Sequence, residues 1–184
     1  LLLIGLMSGY TNLLIPIQIL YINLISDGMP ALALAFTPHD NGIMKMKPQK
    51  DLELLGRRDF FYVALVGLSG GLIALGAYLY FLPMNAGIGR AAAFSIIAIM
   101  TSFVLIDMWL LHKNIFSNLK KLRSPVFLAA FFTPFIFQYL IVTIAPLARV
   151  FKTYPVSTIH YLTFILMASS ILLAITVIKK LVSR

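Results

Sequence analysis

The chain has 184 residues, of which 60% are hydrophobic and 11% charged, with a net charge of +9, three histidines and no cysteine. A soluble domain of this length carries about a quarter of its residues as charges, so this composition excludes one and indicates a polytopic membrane protein. The lack of cysteine excludes a disulfide framework and any thiolate metal centre.

In chain order, 1–14 opens with the apolar "LLLIGLM" and then "SGYTN". It is too short to cross a bilayer, which takes roughly 20 helical residues. It reads as the end of a truncated helix followed by an outer turn. No initiator Met and no signal-peptide pattern precede it, so the chain is expected to continue from a longer one. Five full spans are predicted at about 15–36, 60–82, 91–111, 126–144 and 158–178. The expected fold is an all-α transmembrane bundle of five full spans plus the truncated first helix, with 15–184 forming the bundle.

The first full span contains "YINLISDGMPALALAF". Asn23, Ser26 and Asp27 are spaced three and four apart, so their oxygens share a helical face. Pro30 has no N–H to give the Ser26 carbonyl, and Gly28 allows the backbone to open. A carboxylate within a span costs several kcal/mol unless it faces a cavity or a partner, and freed carbonyls in such places coordinate cations. Oxygen ligands suit a hard cation such as Ca2+, or a proton shared by the carboxylate, and since Ca2+ takes six to eight oxygens, other helices would have to supply the remainder. The competing interpretation, a polar packing face, accounts for the Asn and Ser but poorly for the Asp.

The next span carries "GLSGGLIALG", in which Gly67, Gly70, Gly71 and Gly76 predict a close helix-packing groove. Asp107, near the end of the third full span, is assigned to snorkelling or to pairing with Lys113. His39, His112 and His160 lie near span ends and lack metal-site spacing. Basic residues set the orientation. Twelve lie in the loops at 45–58 and 113–123 and in the tail at 179–184, whereas only Arg90, Arg149 and Lys152 lie on the opposite side. This places the C-terminus in the cytoplasm, with the cell membrane as the expected location. The net positive charge follows from that bias and from contact with anionic lipid, and no nucleic-acid-binding module is present.

The stretch "LIPIQILYINLISDGMPALALAFTPHDNGIMKMKP" resembles the sixth membrane helix and following loop of P-type cation-transporting ATPases, particularly the calcium-pump branch. "GRAAAFSIIAI" resembles the start of that family's eighth helix, and "IVTIAPLARVFKTYPVS" the junction of its ninth and tenth. The resemblance implies the membrane portion of an ATP-driven cation pump, with Ca2+ as the transported ion and the lipid bilayer and the N-terminal part of the pump as partners. It implies transported-ion ligands at Asn23, Ser26 and Asp27. Thr101 falls where relatives place a Glu or Gln ligand, which implies at most one Ca2+ per cycle. The loop "TPHDNGIMKMKPQ" departs from the family's usual prolines and Arg, and 38–59 is expected to couple the helices to cytoplasmic domains. The family's phosphorylated DKTG aspartate, its Mg2+ and ATP sites and its first four helices lie outside this sequence, so no catalytic residue is assigned. The alternative from another class is a non-enzymatic membrane scaffold or a passive ion-conducting subunit built on the same bundle.

Overall fold

A computed structural model describes residues 1–7, 9, 13–36, 56–109 and 124–182. The predicted coupling loop, apart from its last residues, together with Lys113, His39, His112 and most of the basic residues behind the orientation, lies outside the described residues. Among those described, every regular element is helical. Five helices are long and apolar enough to cross a membrane, as expected for an all-α polytopic bundle. They run over Pro16–Ala35, Asp59–Phe81, Ala86–Trp109, Pro125–Thr143 and Thr158–Lys180.

A short helix, α1 (Leu2–Met7), precedes the first span. That span consists of α2 (Pro16–Tyr21), a π-helical turn (Ile22–Asp27) and α3 (Gly28–Ala35). Pro16 occupies the first position of α2, where its missing N–H costs nothing. The second span, α4 (Arg57–Phe81), starts at Gly56, whose N–H donates to Asp59 Oδ2 at 3.2 Å. This satisfies one orphan donor and places a carboxylate at the positive end of the helix dipole. A short turn follows, in which Asn85 Oδ1 accepts from the Gly87 N–H at 2.7 Å, and it leads into α5 (Ala86–Trp109).

The fourth span, α6 (Pro125–Thr143), contains Pro134, and it stops at Ile144, where the backbone turns extended. After the short α7 (Ala145–Val150), Ser157 caps α8 (Thr158–Ser169), and its Oγ lies 2.8 Å from His160 Nδ1. The last span breaks at Ser170 before continuing as α9 (Ile171–Val182). Ser169 and Ser170 turn their hydroxyls back onto the carbonyls of Leu166 and Met167, and such back-bonding bends a helix.

The bundle is organised around α5, which packs against the π turn, α3, α4, α6, α8 and α9. In its most apolar stretch 61% of residues are buried, against 33% in each of the other four spans. So α5 is the axis, and the others each keep an exposed face. Small residues allow the enclosure: Ala91, Ala92, Ala93 and Ala98 are all fully buried on α5. Outward-facing residues such as Leu20, Leu24, Phe60, Leu166 and Leu173 are large and apolar, as hydrocarbon contact requires. The predicted glycine groove is half used. A Cβ at Gly70 would meet Met100 and one at Gly71 would meet Leu1, whereas a Cβ at Gly67 or Gly76 would meet nothing within 4 Å among the described residues of other elements.

Candidate cation site

The opening expected at Gly28 and Pro30 lies one turn earlier. Residues Ile22–Asp27 form a π turn, and regular α-helix resumes at Gly28. The Pro30 ring clashes with the carbonyl of the residue four positions back, Ser26, and offers it no N–H. Widening the preceding turn moves that carbonyl aside. Single π turns of this kind occur disproportionately at functional sites.

The Ser26 carbonyl is occupied from another helix. Thr101 Oγ1 donates to it at 2.9 Å and lies equally close, 2.9 Å, to the carbonyl of Ala98 on its own helix. The residue singled out for the freed carbonyl and the residue singled out on the third full span therefore meet, 75 positions apart in sequence. Beside them Asp27 and Thr101 line a cleft of about 290 Å3, with Pro30, Ala31, Val104 and Leu105 among its apolar walls. Ser26 is fully buried, and its Oγ has no hydrogen-bond partner among the described residues.

Asn23 stands apart. It is exposed on the π turn and does not line the cleft. Asp27 is exposed as well. Within a bilayer neither side chain can face hydrocarbon at low cost, so this side of the bundle is a cavity wall or a protein contact. The described residues hold no group of three or more His, Cys, Asp or Glu side chains suited to a metal. Asp27 and Thr101 bring two oxygen-bearing side chains to the cleft, whereas Ser26, like Asn23, is not among the residues that line it, and two such side chains fall short of the six to eight oxygens of Ca2+.

Several polar residues that organise this region carry no motif in the sequence. Gln18 is fully buried. Its Nε2 donates to the Phe151 carbonyl at 2.9 Å and its Oε1 accepts from the Ile15 N–H at 3.1 Å, which ties the start of α2 to the end of α7. Gln138 on α6 donates to Ser95 Oγ on α5 at 3.0 Å. Asp107 pairs with Lys179 on α9 and accepts from Tyr62 Oη on α4 at 2.7 Å. A lone amide or acid inside an apolar run is the only sequence signal for any of these.

Comparison with known proteins places the fold and the cleft in context. Residues 11–181 match the family model described as "Cation transporting ATPase, C-terminus". The chain belongs to this family. Its five spans are the C-terminal membrane bundle of a P-type cation-transporting ATPase. Similar proteins include the endoplasmic reticulum calcium ATPase srcA of Aspergillus fumigatus, 36% identical over 78 residues. The endoplasmic reticulum-type calcium-transporting ATPases 4 and 3 of Arabidopsis thaliana are 36% identical over 82 residues and 32% identical over 80. These matches cover 42%, 44% and 43% of this chain and 8% of the length of each relative.

Proposed function

We propose that this bundle forms one wall of the ion pathway of an ATP-driven pump for Ca2+ or a related divalent cation. In this reading Ser26, Asp27 and Thr101 act as ligands and Asn23 completes the set from the exposed side of the π turn. The observation that supports it most is the mid-span cleft where a carboxylate lies beside a carbonyl that Pro30 has released from helical bonding. Asp27 supplies the fixed negative charge and Ser26 and Thr101 supply neutral oxygens. The remaining ligands, together with ATP, Mg2+ and the phosphorylated aspartate, belong to the N-terminal part of the pump, its principal partner. Thr101 offers a neutral oxygen where a carboxylate would favour a second divalent ion, so one Ca2+ per cycle is expected.

The relatives' names include calcium and the endoplasmic reticulum. The twelve-to-three distribution of basic residues supports a cytoplasmic C-terminus in that membrane as well as in the cell membrane. The test is Asp27→Asn in the full-length protein. It removes the charge that balances the cation and keeps the side-chain size, so ion-dependent phosphorylation and transport should collapse while folding survives. Wild-type transport rate and ion affinity in a well-folded Asp27→Asn protein would show that the acid belongs to a packing face.

A further inference from the structure

Thr101 has one hydroxyl proton and two carbonyl acceptors at the same distance, Ser26 across the helix interface and Ala98 one turn back on α5. A hydroxyl donates once and keeps two lone pairs for accepting or for ligation. The Ala98 carbonyl is within reach, because threonine in a helix can bond back to a carbonyl of its own preceding turn. Pro30 cannot donate to the Ser26 carbonyl, and Thr101 does, at 2.9 Å. A carbonyl left unpaired at membrane depth is costly.

The geometry points to Thr101 as a two-position hydroxyl that holds the Ser26 carbonyl until a divalent cation takes it, then redirects its O–H to the Ala98 carbonyl and leaves the lone pairs of its oxygen available to the ion. The O–H needs only to swing between two acceptors that already lie at 2.9 Å. The bond to Ser26 breaks as the cation engages that carbonyl, the bond to Ala98 strengthens, and the lone pairs of Oγ1 are released on the side where Thr101 lines the cleft with Asp27. Each carbonyl is satisfied in both states, so ligand exchange leaves no orphaned polar group in the bundle. This role rests on the cation-site reading above and adds to it. It makes Thr101 a positioning residue for the Ser26 carbonyl as well as a ligand, and it makes the hydroxyl, not the side-chain volume, the feature that matters.

The experiment is equilibrium binding of radioactive Ca2+ to the full-length protein in membranes, with wild type compared with Thr101→Val, Thr101→Ser and Asp27→Asn. Thr101→Val keeps the shape and loses the hydroxyl, and it should weaken binding about tenfold or more. Thr101→Ser keeps the hydroxyl and should stay within about threefold of wild type. Asp27→Asn should abolish binding. Wild-type or tighter binding by Thr101→Val, with Asp27→Asn inactive, would overturn the proposal, because it would mean that the hydroxyl only competes with the ion for the carbonyl. A serine variant as weak as the valine variant would overturn it too, by assigning the effect to the lost methyl. Undiminished binding by Asp27→Asn would instead remove the cation site itself. Infrared difference spectra of wild type labelled with 13C at serine carbonyls give a readout that needs no Thr101 variant to fold. A serine carbonyl band should move on adding Ca2+ and stay still in Asp27→Asn, and a band that does not move in wild type would overturn the exchange.

Discussion

Removing the ammonium of Lys179 is the perturbation for which the structure gives the most definite magnitude. Asp107 is only 8% exposed, and its carboxylate is held by Lys179 from α9 and by Tyr62 from α4. Lys179→Met keeps the length of the side chain and deletes this cation, so the carboxylate at the contact of three helices loses one of its charge partners. Breaking a fully buried pair costs 3–5 kcal/mol, and the 31% exposure of the Lys179 side chain lowers the expected loss to about 2 kcal/mol. Asp107→Asn should cost less, about 1 kcal/mol, because the amide oxygen still accepts from Tyr62 and the lysine can extend to the interface. The double variant should recover most of the lysine deficit, since the carboxylate that lost its lysine is then removed as well. Trp109, the single tryptophan, is buried against Phe127 two residues beyond Asp107, so its emission reports unfolding of this end of the bundle in detergent. For a chain of this length about 2 kcal/mol lowers the thermal midpoint by roughly 4–8 °C. A Lys179→Met protein no less stable than Asp107→Asn, or a double variant as unstable as the two losses combined, would refute the assignment of the network as a charge-compensated clamp.

Two glycine substitutions should behave oppositely. A Cβ at Gly89 would lie 2.9 Å from the backbone oxygen of Tyr78, where α4 and α5 cross, so Gly89→Ala should destabilise by about 1–3 kcal/mol in the same fluorescence assay. Gly70→Ala meets only the flexible end of Met100 and gains helix propensity, so it should remain within about 1 kcal/mol of wild type. The chain has no cysteine, so single cysteines report topology without background. Replacements at Lys47 and Asn118 should be shielded from an impermeant external reagent and one at the exposed Tyr154 should react, whereas external labelling at Lys47 would invert the orientation.

The number of spans was legible because 20 apolar residues in a row have one inexpensive arrangement in a bilayer. Asp27 stood out because an acid inside such a run is costly, whereas nothing in the spacing of Asn23, Ser26 and Asp27 showed that Asn23 would stand apart from the cleft. The π turn was not, since i→i+4 and i→i+5 bonding bury the same residues, and only the clash of Pro30 with the Ser26 carbonyl hints at the choice. The partner of Asp107 was not legible either. Lys113, near in sequence, lies outside the described residues, while Lys179, 72 positions away, reaches Asp107 because α9 packs beside α5. Gln18 and Gln138 show the same limit. An amide in an apolar run announces that it needs a partner, while its identity depends on how helices far apart in sequence cross.

The tie between Gln18 and Phe151 has a mechanical consequence for the ion-bearing span. One end of that span is anchored through α2 to α7, and the other is held through α3 against α6 and α5. A rod fixed at both ends and softened at its centre does not tilt when loaded; it flexes at the soft section. The π turn is that section, so strain introduced at Ser26 or Asp27 stays within about one helical turn and passes sideways into α5 through Thr101, with the axle of the bundle taking up the motion.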